Sequence, residues 1–203
     1  MKIRTAAVAA VAVALAVPGV ATAKKPAAPK TLVFTDLAGD ANALNDQGFG
    51  VGPDATATPA QLDAFDIREV RIVSDKTGSA ATKLTVSLKL AAAPTIGIYR
   101  VLGSIGGCDF WTERSLNPNA ALDTSAVRVC GATATDFTYT DVSSKIAGDT
   151  ITWTIPIKAF KSAGLKPGAI WDTLGADARG NEVALTAPSI DGASTDAVYK
   201  VGS

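Results

Sequence analysis

Apolar and polar positions alternate with a period of two along most of the chain. The pattern is clearest in KLTVSLKL (83–90), where Leu84, Val86, Leu88 and Leu90 fall on one face and Lys83, Thr85, Ser87 and Lys89 on the other. Successive side chains of a strand point to opposite faces, so this period predicts a strand with one dry and one wet side. The same reading applies to TLVF (31–34), FDIREVRIV (65–73), IYRVLGSI (98–105), CDFWTE (108–113), AVRVC (126–130), DFTYT (136–140), DTITWTIPI (149–157), IWDTLGADA (170–178) and TDAVYKV (195–201). Clusters of Gly, Pro, Asn and Asp separate these runs, as turns require. About ten short strands at such spacing predict an all-β fold, an antiparallel β-sandwich of jelly-roll-like layout. One stretch breaks the rhythm. In PIKAFKSAGLKPG (156–168) a proline start and two glycine stops frame one or two helical turns near 157–163, expected to cap one end of the sandwich. The acidic turn at 147–149 is expected to be a hairpin connection between DFTYT and DTITWTI.

The N-terminus follows a different rule. Lys2 and Arg4 precede an uncharged apolar run from Ala6 to Val17, and Ala21-Thr22-Ala23 follow it. That is the layout of a secretory signal over 1–23, with a flexible leader at 24–30 and a single domain at 31–203. The apolar run is shorter than the roughly 20 residues that cross a bilayer, so no membrane span is expected after cleavage and the product is expected to be secreted and extracellular. Without Lys2 and Arg4, 17 basic residues face 19 acidic ones. No basic cluster follows Lys24-Lys25, which excludes a nucleic-acid partner, since such binding relies on clustered Lys and Arg.

Cys108 and Cys130 are the two cysteines, and in an exported chain a lone pair is expected to join. Closing that loop contributes roughly 3 kcal/mol on the chain-entropy argument. The chain has no histidine. This excludes Ser-His-Asp and Cys-His nucleophiles and the usual zinc and haem ligation, and leaves any enzyme to work with carboxylates alone.

The opening strand followed by D-L-A-G-D (36–40), the strand beginning at Asp66-Ile67, and ITWTIPIKAFKSAGLKPGAIWDTLGADARG (151–180) resemble the DOMON-like superfamily, which includes the family 9 carbohydrate-binding modules. The D-x-x-G-D opening and the G-G-C-D-F-W segment (106–111) are also similar to a set of small secreted bacterial proteins of unassigned function. The resemblance implies a β-sandwich that binds something, with sugars, haem or structural calcium held by its members. Its haem-binding members use Met and His as axial ligands, whereas this chain has Met1 alone and no His, so no haem is expected. Members that hold sugars do so with facing aromatic rings.

Three tryptophans therefore need separate readings. Trp153 alternates in phase with Ile151 and Ile155 and is expected in the core, while the phase of Trp171 stays open. In CDFWTE, inward Cys108 and Phe110 turn Asp109, Trp111 and Glu113 outward together. An exposed indole between two carboxylates suits a sugar ring and its hydroxyls; the other reading has Trp111 covered by the 114–125 loop. Asp109 and Glu113 would lie roughly 13 Å apart along the strand. Glycosidase carboxylates need about 5 to 9.5 Å, so the pair is not expected to be catalytic.

The loop DLAGDANALND (36–46) brings together Asp36, Asp40, Asn42, Asn45 and Asp46. Calcium takes about six to eight oxygens of this kind from a tight glycine-containing loop, with Asp66 a further candidate. The spacing is not that of an EF-hand, because Gln47 stands where a bidentate Glu is required. The same residues also make ordinary turns. The expected function is a secreted, non-enzymatic binding module that recognises polysaccharide and carries a calcium-stabilised loop. The alternative is a cell-envelope or extracellular structural protein that takes no small molecule.

Overall fold

A computed structural model describes residues 28–43, 59–116, 124–130, 137–180 and 189–203, so the segment read as a signal lies outside the described residues. In chain order the strands are β1 (Thr31–Thr35), β2 (Asn42–Ala43), β3 (Ile67–Ser74), β4 (Lys83–Leu90), β5 (Gly97–Ile105), β6 (Cys108–Ser115), β7 (Thr124–Val129), β8 (Phe137–Thr140), β9 (Ser143–Ala147), β10 (Thr150–Pro156), β11 (Ile170–Gly180), β12 (Ser189–Ser194) and β13 (Tyr199–Lys200). They form two antiparallel sheets ordered β1-β3-β4-β10-β9 and β2-β12-β11-β5-β6-β7-β8, with β13 paired to β11. Their inner faces share one apolar core, which makes the fold the expected all-β sandwich.

The alternation in KLTVSLKL becomes the middle of the first sheet. Leu84, Val86 and Leu88 of β4 stand opposite Ile155, Trp153 and Ile151 of β10, and all six are fully buried. Burial of side chains this large stabilises the fold by about 1.5 to 3 kcal/mol each, far more than the strands' intrinsic preferences. Trp153 fills the core as expected, and its indole N–H donates to the carbonyl of Glu113 at 3.1 Å in the facing sheet. On the wet side, Ser87 and Thr152 hydroxyls meet at 3.1 Å.

In the second sheet, Gly106 and Gly107 both have positive φ (60° and 76°), the backbone that a two-residue hairpin with the right twist demands. The turn sets Ile105 opposite Cys108 and so fixes the register of β5 on β6. Cys108 and Cys130 form the expected disulfide, with Cα atoms 4.8 Å apart. Trp171, whose phase the sequence left open, is fully buried and packs edge-on against Phe110 at 5.5 Å. The predicted helical segment is a 3-10 helix, Ile157–Ala163, that lays Ile157, Phe160 and Ala163 on the core. Gly164 ends it in the left-handed conformation at φ 87°.

Several elements differ from the alternation reading. The turn at 148–149 joins β10 to β9, not to DFTYT, which forms β8 in the other sheet. TDAVYKV is a strand only at Tyr199–Lys200, because Tyr199 turns inward to hold Ser74 through its hydroxyl, 2.6 Å from the Ser74 amide and 2.9 Å from Oγ. A short helix, Pro59–Asp63, precedes β3. The last residue of the expected leader, Lys30, donates its amide to the Ser203 carbonyl at 2.8 Å and so belongs to the fold. Among the described residues no helix is long and apolar enough to cross a membrane.

Candidate functional site

Two places bring the sequence candidates together. The first lies at the end of β1. Asn42 of β2 stands opposite Ile190 of β12, and this antiparallel register carries the preceding loop onto Asp191. Carboxylate oxygens of Asp36, Asp40 and Asp191 consequently lie within 4.8 Å of one another. Asp191 was not among the sequence candidates, since nothing local in SIDGAS marks it. The side chain of Asn42 and the whole of Asn45 and Asp46 lie outside the described residues, so the loop's expected metal set is represented by Asp36 and Asp40.

Asp66 braces this loop from the start of β3. One of its oxygens accepts the Gly39 amide at 2.8 Å and pairs with Arg68 at 2.8 Å, while the other, Oδ1, is buried without a hydrogen-bond partner. Asp36 accepts the Leu37 amide through Oδ1 and buries Oδ2 unpartnered. Burial raises the pKa of Asp36, and repulsion from Asp40 and Asp66 adds to it. Burial likewise raises Asp66, with Asp40 contributing. Asp191 is pushed up to about 6, first by burial and then by Asp36 and Asp40, against hydrogen bonds from the Ile67 and Gly192 amides. An all-oxygen set with this much unrelieved negative charge fits a hard divalent cation such as calcium.

The second place is the outer face of the second sheet. Cross-strand register sets three rows across β11, β5 and β6: Asp177-Arg100-Glu113, Gly175-Leu102-Trp111 and Asp172-Ser104-Asp109. Asp109, Trp111 and Glu113 share this face, the outward phase expected of them, with Asp109 exposed and the other two half-buried. Gly175 contributes no side chain to the middle row, and a cleft of about 390 Å³ opens there. Trp111 and Asp109 line it from β6, Arg100 from β5, and Asp177, Arg179 and Thr173 from β11. Glu113 does not line the cleft but flanks it through Arg100.

The polar wall is rigidly built. Arg100 donates two hydrogen bonds to Asp177, Nε to Oδ1 at 2.9 Å and Nη2 to Oδ2 at 2.7 Å, a fork-to-fork pair. Arg179 approaches the same carboxylate at 3.4 Å. Burial works against the charge of Arg100, yet Asp177 holds its pKa above the ordinary value. Burial raises Glu113, Arg100 opposes this, and Asp177 reinforces it. The Trp111 indole N–H sits beside the Glu113 carboxylate and favours its charged form, but makes no well-directed hydrogen bond.

Arg100, Asp177, Arg179 and Thr173 were missed by the sequence reading. Alternation in IYRVLGSI does put Arg100 on the polar face, but its partner depends on how β5 registers against β11. No family model, curated protein or solved structure matches the chain.

Proposed function

We propose that this chain is a secreted, non-enzymatic binding module of DOMON-like type that takes a neutral carbohydrate in the cleft beside Trp111. The observation that carries this is the cleft's composition: one half-buried indole, with fixed donors and acceptors of both charge signs around it. An indole face suits the C–H face of a sugar ring, and the Arg100–Asp177 pair with Asp109 and Arg179 supplies both donors and acceptors for hydroxyls. A wall in which Arg100 is already neutralised by Asp177 offers little to an anion or a cation. The volume falls at the small end of ligand sites, which run from roughly 300 to 1,000 Å³. The carboxylates argue against catalysis: Asp177 is held in two ion pairs, and Asp109 and Glu113 are four positions apart on one strand face.

We further propose a structural calcium ion held by Asp36, Asp40 and Asp191, with Asp66 behind them. Its support is the convergence of three carboxylates from two distant segments and the buried, unpartnered oxygens of Asp36 and Asp66. Such an ion would pin the loop after β1 to β12.

The test is retention of the purified protein on cellulose, xylan, β-1,3-glucan and starch, with calcium present. Retention on at least one matrix, lost in Trp111→Ala, is the expected result. No retention on any of them, or retention indifferent to Trp111, would sink the carbohydrate reading and favour an envelope or matrix protein that binds other proteins.

A further inference from the structure

We propose that Thr173 is a ligand-contacting residue of this cleft, its hydroxyl reading a hydroxyl of the bound neutral sugar, and that the bulge in β11 exists to present it. The inference rests on the carbohydrate reading above. Between Asp172 and Gly175 the pairing of β11 with β5 slips, so that Thr173 and Leu174 together face Gly103. At the first position of such a bulge a left-handed backbone is ordinarily supplied by glycine. Here Thr173 takes it, at φ 47°, and among the described residues it is the one non-glycine with positive φ. A β-branched side chain is among the worst tenants of that conformation, because its Cβ crowds the neighbouring carbonyl.

The rest of the bulge sharpens the point. Gly175, two residues on, serves space and not φ: it is not in the left-handed region, and a Cβ there would come within 3.0 Å of the Ala193 carbonyl oxygen, so the left-handed position of the bulge is left to threonine. Leu174 anchors the bulge by burying its side chain, but Thr173 is exposed, so no core packing offsets its strain. Its hydroxyl donates one long hydrogen bond, 3.5 Å to Asp172 Oδ1, which leaves its acceptor lone pairs for something in the cleft it lines, and a donor held only by a weak bond. Strain of this kind persists where a residue must be aimed at a ligand.

The purified protein and its Thr173→Gly, Thr173→Ser and Trp111→Ala variants are titrated by calorimetry with cellotriose, xylotriose, laminaritriose and maltotriose, and melted without sugar. Thr173→Gly removes the strain and the hydroxyl together. Its melting point is expected to rise by roughly 2 to 4 °C. Its affinity for the tightest-binding trisaccharide is expected to fall roughly five- to tenfold, the worth of one hydrogen bond. Thr173→Ser keeps the hydroxyl and is expected to bind within about twofold of the parent. Unchanged affinity in Thr173→Gly, or a lower melting point, overturns the inference while sugar binding that needs Trp111 leaves the proposed function standing. If the parent protein binds none of the four, the carbohydrate reading falls and the role of Thr173 falls with it.

Discussion

Gly103 links the core to the cleft, and replacing it with alanine tests how tightly they are joined. A Cβ at this position would land on the indole nitrogen of Trp171 and lie 2.7 Å from the Asp172 carbonyl oxygen and 2.8 Å from Trp171 Cδ1. Neither neighbour can swing away: Trp171 is locked edge-on against Phe110, and Asp172 is backbone at the start of the bulge. Overpacking costs about 1 to 3 kcal/mol where the surroundings can adjust, and the backbone contact argues for the upper end. In a domain of this size each kcal/mol moves the melting point by about 2 to 4 °C, so Gly103→Ala should melt about 6 to 12 °C below the parent. The control is Gly192→Ala, whose added carbon meets nothing nearer than the Ala176 carbonyl at 3.6 Å and should leave the melting point within about 2 °C. Both are read by scanning calorimetry. If Gly103→Ala melts within the range of the control, the close approach of Trp171 to β5 is wrong.

Two further outcomes follow from the fold and the acidic cluster. Reduction of the Cys108–Cys130 disulfide reopens a loop with a sequence separation of 22 and should cost roughly 3 kcal/mol; a melt with and without reductant that differs by less than about 2 °C would contradict this. Asp191 is raised to about 6 from an ordinary 3.8, so between those values the folded chain holds a proton that the unfolded chain has released. Its stabilising contribution is therefore complete below about pH 3.8 and lost as pH rises through about 6. Two pKa units correspond to about 3 kcal/mol, and solvent screening of a partly exposed cluster roughly halves that. Metal-free protein should accordingly lose about 3 to 6 °C between pH 4 and pH 6.5, with Asp36, Asp66 and Glu113 acting in the same sense. Calcium should remove this loss, since the ion prefers the charged carboxylates, and Asp191→Asn should flatten both effects; a calcium increment that ignores pH and Asp191 speaks against the ion.

Most of the sandwich was legible because one face of each major strand is dry. β4 is read to the residue from KLTVSLKL, since a one-residue slip would expose four leucine and valine side chains at once. β9 was missed for the opposite reason. In SSKIA only Ile146 is a large apolar residue, so the edge strand carries too little pattern to stand out, and the turn at 148–149 was assigned to the wrong partner. β12, with SIDGAS, is illegible on the same grounds. TDAVYKV misled because alternation was present but Tyr199 and Val201 are recruited into side-chain and turn contacts at Ser74 and Ala169.

The candidate site divides along the same line. Period-two alternation was enough to turn Asp109, Trp111 and Glu113 to one face, because that depends on a single strand. Asp177 opposite Arg100, and Asp191 beside Asp36, depend on which strands are neighbours and in what register. No local pattern encodes those two facts. They are set by the Gly106-Gly107 turn, which fixes β5 on β6, by the slip at Asp172–Gly175, which fixes β11 on β5, and by the β2–β12 pair. The slip also carries the one local oddity that bears on the cleft. A threonine in a strand looks unremarkable in sequence, and becomes informative only when its φ shows that it holds a backbone conformation that favours glycine. A polar wall assembled across strands is therefore read from register, and Thr173 is the point where register, strain and the cleft coincide.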